Sequence, residues 1–164
     1  MSVSVSRAQF LRGKFSNNPP PIRPPWALPE GDFIETCTAC GDCAGKCPEK
    51  IIVSGVGRFP VIDFSNGECS FCGACVEACS KDALKESESL ESLPWLHTAN
   101  IGEGCLARKA IICRSCGDNC EPEAIRFSME PGGISKPVLD KEKCTGCGAC
   151  YRPCPANAIT MEAV

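Results

Sequence analysis

Sixteen cysteines and a single histidine among 164 residues put thiolate chemistry ahead of anything else this chain could do. The thiols are ordered. Cys37, Cys40, Cys43 and Cys47 stand at offsets of three, three and four, and the same offsets return at Cys69, Cys72, Cys75, Cys79 and at Cys144, Cys147, Cys150, Cys154. Cys105, Cys113, Cys116 and Cys120 keep the last two offsets but open with a gap of eight, and no cysteine is left over. Cysteine at this density means either a disulfide scaffold or metal binding. Disulfide frameworks do not repeat one short-offset pattern, and zinc sites use paired Cys or Cys/His spacings, so the pattern points to a polynuclear metal core.

The offsets are those by which bacterial ferredoxins hold [4Fe-4S] clusters, with the fourth Cys of each run ligating the other cluster when two are present. Three thiolates on a short coiled loop can converge on three irons of one cube, while the fourth, after a longer step, faces away. That crossed rule gives four [4Fe-4S] clusters: Cys37, Cys40, Cys43 with Cys79; Cys69, Cys72, Cys75 with Cys47; Cys105, Cys113, Cys116 with Cys154; and Cys144, Cys147, Cys150 with Cys120. Proline after the last Cys suits the turn, because it fixes φ and offers no amide donor. Pro48 and Pro155 supply it, whereas Ser80 and Glu121 stand at the other two places. Gly41, Gly73 and Gly148 each follow the second Cys of a regular run, where the backbone must wrap closely and aim N–H groups at sulfur. In the irregular run Gly117 follows the third Cys instead, so its loop must differ. There, Leu106 to Ile112 can loop out so that Cys105 still reaches the cube; the alternative is a three-ligand, labile cluster.

The elements that must position these loops follow from the stretches between them. Ile51-Ile52-Val53 and Phe59-Pro60-Val61-Ile62-Asp63-Phe64, separated by Gly55 and Gly57, predict a hairpin joining the first two runs. Pro60-Val61-Ile62-Asp63 reappears as Pro137-Val138-Leu139-Asp140, and Cys40 to Cys113 and Cys47 to Cys120 are both 73 residues apart, Cys69 to Cys144 and Cys79 to Cys154 both 75. Ala83-Leu84, Ala124-Ile125 and Ala158-Ile159 each sit four and five residues after a run's last Cys. The second half therefore repeats the first. The predicted fold is α+β, two tandem bacterial-type 2[4Fe-4S] ferredoxin-like modules of small hairpins and short helices, over residues 31–84 and 101–164. A linker over 85–100 joins them, with a short helix between Lys85 and Pro94 and with His97, which is not needed as a ligand.

With the cysteines set aside, seven Phe, two Trp and one Tyr make a small core. The clusters must act as the cores, and the metal-free chain is expected to be largely unfolded. The formal charge of −3 becomes more negative once thiolates surround the iron, and no basic stripe argues for nucleic acid. If every iron carries a protein thiolate, no open position remains for substrate. There is also no nucleophile–base pair, Walker loop or dinucleotide fingerprint, so the chain is read as a carrier and not an enzyme. No apolar run approaches the length of a membrane span.

Residues 1–30 carry no cysteine. Ser6-Arg7-Ala8-Gln9-Phe10-Leu11-Arg12 looks like a twin-arginine export motif with Ala8 in place of the second Arg, but no apolar h-region or cleavage site follows, so export is not expected. Pro19 to Pro25, ending in Trp26, should form an extended strap that either wraps its own domain or is presented to another, and the segment is read as a partner contact.

Four cysteine runs, the unusual Cys105-Leu-Ala-Arg-Lys-Ala-Ile-Ile-Cys113-Arg-Ser-Cys116-Gly-Asp-Asn-Cys120-Glu-Pro122, Ile22-Arg23-Pro24-Pro25-Trp26 and the arginine-containing start before Phe10-Leu11 together resemble the NapF-type ferredoxin-like family encoded with periplasmic nitrate reductases. The likeness spans nearly the whole chain, and the irregular run is its specific part. It implies a cytoplasmic, soluble iron–sulfur protein that meets the precursor of the catalytic molybdenum subunit before export and assists its maturation, drawing on an unidentified electron donor. Ala8 and Ser80 depart from the pattern that the resemblance leads one to expect. The alternative is an electron wire that docks on a membrane quinol dehydrogenase or another oxidoreductase complex.

Overall fold

The computed structural model describes residues 21–86, 95 and 97–163. The Arg-containing start over 6–12 lies outside these residues, as does the helix expected before Pro94 beyond Glu86. Helix α1 (Glu30–Thr36) carries Glu30 and Asp32 in its first turn, where carboxylates face the positive end of the helix dipole. It seals the first half with Phe33, which is fully buried. Two single-turn helices, α2 (Asp42–Lys46) and α3 (Ala74–Glu77), begin directly after Gly41 and Gly73, whose φ values of 88° and 76° start each turn from the left-handed region. A third, α4 (Ser115–Asp118), starts after Arg114, with φ −132°.

Six strands form three antiparallel pairs among the described residues. The predicted hairpin is β1 (Ile52–Ser54) with β2 (Pro60–Ile62), in register Ile52 to Ile62. Its counterpart, β4 (Ile125–Glu130) with β5 (Ile134–Leu139), registers Ile125 to Leu139 and is longer by three rungs at its tip. The bases of the two hairpins are closed alike. The Asp63 amide donates to the Ile51 carbonyl and the Asp140 amide to the Ala124 carbonyl, both at 2.8 Å.

The third pair joins β3 (His97–Ile101) to β6 (Ile159–Ala163). Thus the stretch read as the end of a linker is a strand, and its partner lies some sixty residues later. His-Thr-Ala-Asn-Ile carries too little alternation to announce a strand, because β6 supplies the pairing that fixes it. The first half has a shorter equivalent in Ala27 bridged to Leu84, with the Leu28 amide on the Ala83 carbonyl at 3.1 Å and the Lys85 amide on the Trp26 carbonyl at 2.9 Å.

Ile22 to Leu28 therefore wraps its own half. Pro24 and Pro25 are fully buried, the Ile62 amide donates to the Ile22 carbonyl at 2.8 Å, and Arg23 binds both carboxylate oxygens of Glu30, at 2.9 and 2.8 Å. Arg23 also donates to the Pro60 carbonyl at 3.0 Å and lies 4.9 Å from the Phe33 ring centre. A bidentate guanidinium over an aromatic face is a strong and directional clasp.

Two apolar clusters form the core, one in each half. Phe33, Ile51, Phe64, Leu84 and Trp95 belong to the first, Ala99, Ile101, Ile125 and Ile159 to the second. Cysteines take part in both: Cys43 and Cys75 in the first, Cys105, Cys116 and Cys150 in the second. The residue pairs four and five places after each run's last Cys are all buried. They include Ile51-Ile52, a fourth case beside the three pairs that the sequence pattern had marked.

Candidate metal centres

The loops that carry the cysteines share a backbone script. Ala39, Phe71 and Gly146, each just before the second Cys of a regular run, have φ of 54°, 51° and 73°. Gly41, Gly73 and Gly148, just after it, have φ of 88°, 76° and 82°. Alternating left- and right-handed residues turn successive amides inward, making an anion-binding concavity around sulfur. The Ala39 amide accordingly lies 3.4 Å from Cys37 Sγ and the Phe71 amide 3.4 Å from Cys69 Sγ.

A second script follows the fourth cysteines. Lys50, Asp82, Glu123 and Asn157, each three residues on, have φ between 46° and 55°. Their amides close turns on the carbonyls of Cys47, Cys79, Cys120 and Cys154, at 3.3, 3.4, 3.0 and 3.2 Å. These turns send the chain back into the core at the buried pairs. The proline position is therefore not what makes the turn: Ser80 and Glu121 precede the same geometry.

Three cavities lie among the loops. One is lined by Cys37, Cys40, Cys43 and Cys79, under Phe33 and Leu84. Another is lined by Cys47, Cys69, Cys72 and Cys75, with Pro25 and Trp26 of the strap across it. A third is lined by Cys120, Cys144, Cys147 and Cys150. The remaining thiols stand around Cys116: its neighbours in charge are Cys105, Cys113 and Cys154. Cys105 itself is buried, so the seven-residue loop between it and Cys113 leaves it inside the second core.

The donor chemistry fits an iron–sulfur cube better than a single ion. Among the described residues no three His, Cys, Asp or Glu side chains are close enough to hold one metal ion, and a zinc ion would draw four ligands to within about 2.3 Å. Here four thiols instead line each of three shared hollows. Burial pushes the Cys43, Cys75 and Cys116 thiols up to about 11 and the Cys69 and Cys150 thiols up to about 12, with neighbouring thiols adding to the effect. Cys147 is raised too, first by burial, with Glu68 and Cys120 among the charges that oppose its ionisation. A set of buried thiols that cannot ionise together by itself calls for a cationic core to neutralise it.

The third run departs where its sequence does. Arg114, after its second Cys, has φ −132° where Gly41, Gly73 and Gly148 are left-handed, and a left-handed residue stands instead at Ala110, φ 61°, behind a 3₁₀ turn over Ala107–Lys109. Gly117 is small for a reason of packing: a Cβ there would come 2.7 Å from Phe127 Cε2. At Cys113 the sulfur faces a hydroxyl, Ser115 Oγ at 3.8 Å. His97 lies against Trp95, ring centres 6.2 Å apart, and burial holds its pKa below the ordinary value.

Comparison with known proteins agrees with this chemistry. Residues 36–84 match the 4Fe-4S dicluster domain and residues 137–160 the 4Fe-4S binding domain. The chain is 40% identical over 162 residues to the ferredoxin-type protein NapF of Escherichia coli strain K12, covering 99% of this chain and 97% of that protein. To the ferredoxin-type protein NapF of Haemophilus influenzae it is 45% identical over 169 residues, covering 97% and 94%. It is also 30% identical over 153 residues to the methylamine utilization ferredoxin-type protein MauM of Methylorubrum extorquens, covering 81% and 67%.

Proposed function

The chain belongs to the NapF family of ferredoxin-type proteins, and from that premise we propose a cytoplasmic electron carrier with four [4Fe-4S] clusters that assists maturation of a periplasmic nitrate reductase catalytic subunit before its export. The reading takes the halves as tandem two-cluster modules, the first reaching back to the Ile22–Leu28 strap and the second to β3. The observation that carries it is the grouping of the thiols. Each cavity is ringed by three cysteines of one run and the fourth of another, the arrangement two-cluster ferredoxins use.

When bound, a [4Fe-4S] cube stores and releases one electron. The protein's part is to hold, insulate and tune. All four thiolates of a set would bind the core, so no position would be left for a substrate, which favours a carrier over an enzyme. Phe33, Trp26 and the buried pairs shield one side of the sulfur from water, and inward amides such as those of Ala39 and Phe71 stabilise charge on it. Both factors set the potential in this class of centre.

The maturation role rests on the resemblance to NapF, and the partner would be the precursor of the catalytic subunit. Similarity to MauM, a methylamine utilization protein, shows relatives of the chain outside nitrate reduction, and the second reading is an electron wire for a membrane quinol dehydrogenase or another oxidoreductase complex. No helix among the described residues is long and apolar enough to cross a membrane, so in that role the chain would dock through another subunit. Anaerobic capture of the tagged holoprotein from its own host separates the two. Recovery of a molybdoenzyme subunit that still carries its export signal supports maturation. Recovery of quinol-dehydrogenase components without any precursor overturns it in favour of the second reading.

A further inference from the structure

The halves meet along a seam built from residues close to, but outside, the thiol sets. Phe64, just beyond β2 and 4% exposed, packs edge-on against Trp95 with ring centres 6.0 Å apart and tilted against Tyr151 at 6.3 Å. Its ring also fills the space beside Gly148, where any Cβ would overlap it. Trp95 belongs to the first core, yet its indole N–H donates to the Thr145 carbonyl in the second half at 2.9 Å. A Cβ on Gly146 would lie 2.6 Å from that indole nitrogen. Across the same seam the Cys69 amide donates to the Cys147 carbonyl at 2.8 Å.

That last bond joins the main chains of two cysteines that line different cavities, one in each half. The two sets are thereby tied directly through their main chains, with the Trp95–Thr145 and Arg152–Asn66 bonds beside them. Within the first half, α2 packs on α3, and Cys43 and Cys75 share one buried core. Within the second, Cys105, Cys116 and Cys150 share the other. The sets around Cys69 and Cys147 are therefore the pair that meets at the seam, here called the inner pair.

We propose that Phe64, Trp95 and Gly148 are positioning residues that hold the two inner thiol sets in fixed contact, so that the four sets form one linear series instead of two separate pairs. The proposal rests on the reading that each set holds a cube. It gives the seam a purpose beyond cohesion: a loosened seam leaves two intact halves that no longer communicate.

The test compares dithionite-reduced wild-type holoprotein with Phe64→Ala and with Phe59→Ala, a control at a core-packed phenylalanine away from the seam. Iron and labile sulfide per chain, spin–spin broadening in the electron paramagnetic resonance spectrum, and deuterium uptake of the peptide containing Cys69 are measured on each. Phe64→Ala is expected to keep its iron, lose the cross-seam part of the broadening and expose the Cys69 amide to exchange. Phe59→Ala is expected to lower stability and leave both readouts in place. If Phe64→Ala sheds iron, Trp95→Phe, which removes the indole hydrogen bond and trims the ring but keeps an aromatic at the seam, is judged by the same two readouts. Broadening and protection equal to wild type in an iron-replete seam variant would overturn the proposal. Wild-type protein reconstituted anaerobically yet lacking cubes would instead overturn the cluster reading beneath it.

Discussion

The Cys37–Cys47 loop and the Cys105–Cys120 loop present four thiols each, but they hold them by different means. In the first, Ala39 and Gly41 sit in left-handed conformations, and the Ala39 amide is already turned to Cys37 sulfur. In the second, the chain detours through a 3₁₀ turn, and the Ile111 amide is used to close it on the Leu106 carbonyl at 3.0 Å. Ile112, next to Cys113, is 97% exposed. A regular loop wraps its site with backbone; the irregular one reaches its site after crossing water. The lesson is that the ligand count can be kept while pre-organisation is lost, and stability at the site should follow the second.

Removing iron has the largest expected effect. Anaerobic chelation at neutral pH should abolish most of the far-ultraviolet circular dichroism, since cysteine thiols line both cores and the metal that holds them together is gone. The comparison is sharpened by the order of loss: iron release should be biphasic, with the fast phase coming from the Cys105 loop. Cys113→Ser should eliminate that phase, whereas Cys40→Ser should leave it. Retention of the fast phase in Cys113→Ser breaks the contrast.

Re-assembly should depend steeply on pH. A cube binds thiolates, and the buried thiols of the folded loops titrate well above their ordinary value near 9, Cys43 at about 11 and Cys69 at about 12. Iron capture must expel those protons, so loading strengthens as pH rises toward these values and weakens as it falls, by up to about tenfold per unit for each thiol that has to ionise. Stopped-flow reconstitution between mildly acidic and mildly alkaline pH checks the sign. A rise that levels off near 9, where an ordinary thiol titrates, would mean that the thiols ionise in the open chain before the loops close.

The smallest effects concern the glycines. Gly117→Ala should cost about 1–3 kcal/mol through overpacking against Phe127, and Phe127→Leu in the same chain should recover part of it. Gly41→Ala meets no atom within 4 Å but sits at φ 88°, so it should cost about 1–2 kcal/mol in backbone strain that no packing change relieves. Thermal unfolding of the holoproteins, with and without the second substitution, separates the two causes. Equal rescue at both sites would erase the distinction between the loops.

Much of this was legible in the sequence because cysteine offsets are local and metal geometry is strict. The hairpin from Ile52 to Ile62, the repeat of Pro60-Val61-Ile62-Asp63 at Pro137, and the need for a different loop around Gly117 all followed from spacing. The strand at His97–Ile101 did not, since its pairing with Ile159–Ala163 is a long-range event with no periodic mark. Nor did the strap's destination: a proline-rich stretch reads as extended, but only the carboxylate of Glu30 and the carbonyl of Pro60 show where Arg23 anchors it. The left-handed Ala39 and Phe71 had no signal either, because residues with a Cβ seldom take that conformation. Their equivalent in the last run, Gly146, was the available hint. Finally, the roles of Gly148 split in a way spacing could not reveal: it serves its own loop and also receives Phe64 from the other half.

The most direct test of the central claim, that each cavity joins three cysteines of one run to the fourth of another, is a count of iron in two double variants. Cys40→Ser/Cys79→Ser changes two thiols of one proposed set, and Cys40→Ser/Cys47→Ser changes two thiols of one run. With anaerobic reconstitution and metal analysis on folded protein, the first should lose one cube, about four irons per chain, and the second two cubes, about eight. A loss of one cube in Cys40→Ser/Cys47→Ser and of two in Cys40→Ser/Cys79→Ser would mean that each run serves a single cluster, and the crossed architecture would be wrong.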